Sequence, residues 1–274
     1  MASQITIGKW GSDPGDFNDN RGVAVSAGNE IFVADLYNGR IQVFSMMGIY
    51  LRLFPTVVPG KDKETMLPSD VAIDGEGNLW VVGTLYKNVR HFVHVVQYSR
   101  DGLPAITFGV SSSDWETSIA FELRNNKVIV MVTPNILVFH PNGSLQQAFK
   151  NCQGGILSFV ASDDKGSIFV TDRSHSVGVY DLSGQLLSKF RSFERGQCQL
   201  CHPQGIFVDT SGHIIVSNQD KHRVDMFTSR GEFVRTVVNI TYPSGIAMGP
   251  DGQLVVCNQV HDTLTIFPRR MVFP

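Results

Sequence analysis

Arginines, lysines and histidines collect beside tyrosines and amides in short polar stretches of this chain. The stretches hold Tyr37 and Arg40; Tyr86, Lys87, Arg90 and His91; Arg173 and His175; Gln219, Lys221, His222 and Arg223; and Gln259 with His261. Charged heads neutralise phosphates, while rings and amides stack on splayed bases and bond their edges, so this mixture suits a single-stranded or hairpin RNA. It equally suits a protein or peptide ligand, because tyrosine and arginine dominate protein interfaces. A net charge of -2 creates no global field toward polyanions, so RNA contact would have to come from a local patch.

Other chemistry is weakly represented. Cys198, Cys201 and His202 spell a haem-attachment pattern that is also half of a zinc site, and the plain alternative is a loop holding two thiols. Cys152 and Cys257 stand apart and read as reduced. Asp70 and Asp114 precede apolar runs and either point inward or cap turns. A catalytic metal would need three or more ligands aimed at one point, and the eight histidines do not recur at equivalent positions. No glycine-rich phosphate loop, zincin helix or nucleophile elbow is present. The expectation is therefore a non-catalytic domain without metal or cofactor.

The elements that must carry these residues repeat. Six runs close on an aromatic: Ile41–Phe44, Val95–Tyr98, Ile136–Phe139, Val177–Tyr180, Val224–Phe227 and Leu264–Phe267. Their spacing of 54, 41, 41, 47 and 40 residues matches one four-stranded propeller blade per repeat. Each repeat reads as a strand of small and β-branched residues, a Gly/Asn/Asp turn, a second strand such as Ile31-Phe32-Val33, a loop, the aromatic-closed strand, a second tight turn and an outer strand. The sixth repeat runs out before its outer strand. The segment from about residue 4 to residue 10 has no partner of its own and would supply that strand, closing the ring. The whole of 1–274 is thus expected to form a single all-β domain, a six-bladed β-propeller. No apolar stretch reaches the length of a membrane span and residues 1–15 lack a signal-peptide core, so a cytoplasmic setting without membrane contact is expected. The Asn-x-Ser/Thr sites at Asn142 and Asn239 matter only outside that compartment.

Ile31-Phe32-Val33-Ala34-Asp35-Leu36-Tyr37-Asn38-Gly39-Arg40-Ile41-Gln42-Val43-Phe44 and Tyr242-Pro243-Ser244-Gly245-Ile246-Ala247 resemble the NHL repeat. That pattern has a Pro-x-Gly-hydrophobic start, a valine-alanine-aspartate strand end, an asparagine-rich loop and an arginine-led third strand. The likeness spans nearly the whole chain and is most specific in the first, fifth and sixth repeats. The signature aspartate is kept as Asp35 and Asp172 and replaced by Gly83, Thr133, Asn218 and Asn258 elsewhere. NHL propellers of this size are most often C-terminal domains of tripartite-motif ubiquitin ligases. The resemblance implies a recognition platform for RNA or for proteins recruited to ubiquitination. Ligase activity and coiled-coil oligomerisation would belong to a parent protein carrying the RING, B-box and coiled coil.

In an up-and-down blade, the loops between second and third strands share one face with the links between blades. That face would gather all the polar stretches named above, joined by Arg21, His202 and Tyr242 from the links. Arg40 and Arg223 occupy the repeat's arginine position, where the side chain either meets a ligand or lies on its own blade. The histidines are either ligand contacts or simple surface residues. The long interval of 54 residues marks Tyr86 to His94 as an inserted loop and the first place to look for function.

Overall fold

The computed structural model describes residues 3–61, 64–87, 90–111, 116–151, 155–191, 193–194 and 197–273. Asp114 and Cys152 lie outside them. The described residues form six four-stranded antiparallel sheets, each running from an inner strand through two middle strands to an outer one, and a two-stranded ribbon of Phe193–Glu194 with Gln197–Cys198. The inner strands are Asn20–Val25, Leu67–Ile73, Thr117–Glu122, Leu157–Ser162, Pro203–Val208 and Pro243–Met248. They surround a central channel of about 280 Å³.

Blade 6 takes its outer strand from the N-terminus, as expected. Ile5, Thr6 and Ile7 pair antiparallel with Ile266, Thr265 and Leu264. The strand is shorter than the 4–10 expected. Gly8 ends it by turning to φ +87°, and a Cβ there would lie 2.5 Å from the Phe17 ring. Phe17 is fully buried and meets Phe44 at 5.6 Å between ring centroids, on the seam between blades 6 and 1.

The unbroken apolar second strands follow from burial on both sides. Side chains alternate across a strand, so in Glu30–Asp35 the residues Ile31 and Val33 join Val255, Leu264 and Ile266 of blade 6. Phe32 and Ala34 join Leu79, Val81 and Tyr98 of blade 2 instead. The same division between neighbours recurs around the ring, giving one apolar cluster per blade junction. The closing aromatics belong to these junctions. Tyr98 meets Phe54 of the preceding outer strand at 5.6 Å, and Phe227 meets Phe190 at 5.6 Å. Glycine completes the contact: at Gly102 (φ +86°) and Gly231 (φ +81°), a Cβ would fall 2.2 Å and 2.1 Å from the Cγ of Phe54 and Phe190. The turn glycines therefore supply close approach as well as positive φ.

Blade 2 departs from expectation. The interval from Tyr86 to His94 is largely strand, not loop: Leu79–Lys87 and Arg90–Tyr98 pair continuously out to Lys87 opposite Arg90. Its extra residues prolong a β-ribbon beyond the neighbouring blades because the alternation of apolar residues continues through Leu85 and Val93.

Inside the channel, Asp70 replaces the small residue that Gly22, Gly205 and Gly245 supply in other blades. Its carboxylate accepts bonds from Ser118 Oγ at 2.5 Å and from the backbone N–H groups of Ile119 and Val71. Burial nevertheless pushes its pKa up to about 6 from 3.8, because the hydrogen bonds recover only part of the lost hydration. The folded state holds this proton more tightly than the unfolded chain, so the Asp70 contribution to stability falls as pH rises from about 4 to about 6, by about 3 kcal/mol in all. Asp70→Asn is expected to flatten that slope, measured by denaturant unfolding at pH 4, 5, 6 and 7. An unchanged slope would show that another group carries it.

Candidate functional site

The loops between second and third strands and the links between blades meet on one face, called the upper face below. Residues 9–18 are laid over its blade 1 side. Gly11 N–H donates to Phe17 O at 2.9 Å and Phe17 N–H to Lys9 O at 2.8 Å, doubling the segment back on itself. The fully buried Asp35 carboxylate anchors it through Asn18 N–H at 2.8 Å and binds Asn38, Arg40 and Gln42 side chains at 2.7–3.0 Å. Arg40 in turn donates to the carbonyls of Ser12, Asp13 and Asp16.

Arg40 is thus buried scaffold, which resolves its two sequence readings in favour of the blade. Arg223 behaves alike: its Nε bonds Asp225 at 2.9 Å and its guanidinium lies over the Phe233 ring. Arg173 reaches the face but pairs with Glu116 at 2.7 Å. Glu116 also lies 3.9 Å from Arg21, which bonds Asp19 at 3.3 Å. These alternating charges join blades 1, 3 and 4 around the channel mouth.

The remaining sequence-named residues fall into separate groups. Tyr37 is well exposed on blade 1. On the blade 2 ribbon, Tyr86 and His91 are exposed and stack edge-on at 4.6 Å. The backbone of Lys87 and Arg90 continues that ribbon. His175 Nδ1 lies 3.2 Å from Leu200 O. His222 and Tyr242 stack edge-on at 4.4 Å across blades 5 and 6, with His261 at 6.1 Å from Tyr242 and Lys221 exposed beside them. Among the described side chains, the face is therefore a rim of aromatic–imidazole pairs around a mouth whose arginines are paired.

Several site residues carried no sequence signal. Trp10, 73% exposed, precedes Gly11, whose carbonyl accepts from Asn38 Nδ2 at 3.0 Å. Tyr37 precedes Asn38, so two exposed aromatics hang from neighbouring ends of one hydrogen bond. Asp19, His202 and Tyr242 each adopt φ of +44° to +65° just before an inner strand, a link conformation shared by blades 1, 5 and 6. Between them lies a cavity of about 480 Å³ at the channel mouth, bounded by Asn18, Asp19, Arg173, Gln204, Gln219, Gln259 and Asp262 among others. The Asp262 carboxyl is held above the usual carboxylate range, mainly by burial, with the Asp19 and Asp35 carboxylates adding to the effect.

Two readings of ligand chemistry change here. Cys201 is disulfide-bonded, so the expected pair of thiols is not present, and a bonded sulfur is no metal or haem ligand. Among the described residues, no three His, Cys, Asp or Glu side chains gather in a metal-binding arrangement, and no helix is long and apolar enough to cross a membrane.

A family model described as the NHL repeat matches residues 17–44. The protein brain tumor of Drosophila melanogaster is 27% identical over 152 residues, which are 54% of this chain and 14% of that protein. The chain thus spans about a seventh of the relative's length. Among solved structures, a virginiamycin B lyase from Staphylococcus aureus superposes with TM-score 0.67 at 13% identity, covering 96% of this chain and 98% of the lyase. A gluconolactonase from Xanthomonas campestris superposes with TM-score 0.68 at 14% identity, covering 92% and 86%. At such identities the likeness is one of fold.

Proposed function

We propose that this NHL-repeat β-propeller is a recognition module that binds a protein or peptide segment on its upper face. The observation that carries this reading is the state of four upper-face arginines whose side chains are described. Arg21, Arg40, Arg173 and Arg223 all face carboxylates within the domain, at 2.7–3.3 Å. A phosphate strand would have to compete for each of them, and paired cations release few counterions. Among the described side chains the face leaves open four exposed aromatics, Trp10, Tyr37, Tyr86 and Tyr242, with Lys221 exposed beside the last. Such rings are typical anchors of protein interfaces. In a longer protein this module would recruit the targets on which another domain acts.

The test compares two ligand classes on the purified chain. Oligouridine is expected to show no saturable binding at about 150 mM salt, where exposed charges are screened beyond about 8 Å. Proteins crosslinked to the upper face at that salt should be lost from the variant Trp10→Ala/Tyr37→Ala, with affinity falling at least about tenfold. Both residues are exposed, so its melting temperature should hold. Saturable oligouridine binding with a steep salt slope would reverse the assignment in favour of RNA.

A further inference from the structure

The cavity at the channel mouth contains polar groups that the domain itself does not use. Gln204 sits on the inner strand of blade 5 and is only 5% exposed. Its backbone carbonyl accepts from Thr171 Oγ1, but its side-chain amide has no hydrogen-bond partner among the described residues. The side-chain amides of Gln219 and Gln259, from the loops of blades 5 and 6, border the same cavity and are likewise unpartnered among those residues. Arg173 Nε is a buried donor without an acceptor. Gln219 and Gln259 are only half-buried and none of the three amides is sealed from solvent, so their hydrogen-bonding capacity stays open to a ligand entering the cavity.

Charge adds direction to this arrangement. Asp262 accepts the Asp19 N–H at 2.7 Å through Oδ1; among the described residues no lysine or arginine pairs with it, and the neighbouring His261 is the basic group that acts on it. Arg173, the one guanidinium on the cavity wall among the described residues, is neutralised by Glu116. The mouth therefore offers one carboxylate without a lysine or arginine partner, ringed by groups that both donate and accept. An amide side chain matches a peptide group, which presents one N–H and one C=O side by side. A carboxylate at the end of such a row matches an ammonium or guanidinium.

We infer that the channel mouth receives a lysine or arginine side chain of a bound peptide, with Asp262 taking the cation and Gln204, Gln219 and Gln259 bonding the flanking peptide groups. This rests on the protein-binding reading of the upper face and specifies what that face selects. It also explains the polar Gln204 at a nearly closed position where other blades place the small side chains of Ser69, Ser158 and Ser244.

The test passes a positional-scanning library of acetylated, amidated peptides over the immobilised full chain. Lysine or arginine should be enriched at one position. Asp262→Asn should remove that preference, lowering affinity for the selected peptide by about tenfold or more. This variant keeps an oxygen for the Asp19 N–H and tolerates φ +51° as well as aspartate does, so it should fold. Gln204→Leu provides a second readout that a purely structural role would not give: weaker binding with an equal or higher melting temperature, because an unpartnered, nearly buried amide is replaced by a similar apolar volume. Retained peptides without cation preference, or a preference unchanged in Asp262→Asn, would overturn the inference. In that case, continued dependence on Trp10 and Tyr37 would leave the platform reading standing. If no peptide is retained, the inference fails, and the platform reading is judged separately by the crosslinking comparison.

Discussion

Asp35→Ala should cost the propeller about 3–5 kcal/mol, because it strands a buried guanidinium that cannot lose its charge. Asp35 is fully buried and accepts the Arg40 Nε at 2.7 Å while holding Asn38, Gln42 and the Asn18 backbone. Without it, Arg40 keeps its bonds to the Ser12, Asp13 and Asp16 carbonyls but has no counter-charge. A loss of this size in a domain this large corresponds to a melting temperature lower by about 10 °C. Removing both members, as in Asp35→Leu/Arg40→Met, should recover much of the stability, since the penalty comes from the unpaired charge rather than from loss of the pair. If the double variant is as unstable as the single one, the cost lies in the surrounding hydrogen bonds instead. Function should follow stability here, because the same hub fixes the segment that presents Trp10.

Deleting residues 1–11 is expected to have a comparable effect through a different cause. The deletion removes the ladder from Ile5 to Ile7 against Leu264 to Ile266 and the packing of Ile5 and Ile7 on the blade 6 and blade 1 cluster. Roughly 1 kcal/mol for each lost hydrogen bond and for each partly buried isoleucine gives about 5 kcal/mol. It also exposes the edge of Thr263–Phe267, which invites association between copies. The measurements are the melting temperature, expected to fall by about 10 °C, and light scattering, expected to rise. A melting temperature within about 2 °C of the intact chain would mean that the ring does not depend on its closing strand.

Much of the scaffold was legible because it rests on local rules. Runs such as Ile31-Phe32-Val33 are apolar at every position because both faces of each blade are covered, and the period of about 45 residues follows from four strands and their turns. The missing outer strand of the sixth repeat pointed to the N-terminus because an uncovered edge needs a partner. In the sequence the ribbon of blade 2 shows only its extra length, which fits a loop, while its continued pairing depends on register.

The binding face was legible only in outline. Connectivity places the loops between second and third strands on one side, and Tyr37, Tyr86, His91, Lys221, His222 and Tyr242 are found there. Arg40 reads from the sequence either as a ligand contact or as part of its blade, because its partners Ser12, Asp13 and Asp16 sit in an irregular segment more than twenty residues earlier. The pairing of Arg173 with Glu116 spans 57 positions and two blades, and no local pattern announces it.

The sequence by itself thus determined the repeat, the strand order, the closure and the side on which polar residues collect, all consequences of periodicity and chain direction. Only the tertiary structure decided which charges remain available and where a cavity opens. Asn18, Gln204, Gln219, Gln259 and Asp262 come from blades 1, 5 and 6 and carry no shared motif. They become neighbours because the ring closes and brings the chain's beginning against its end.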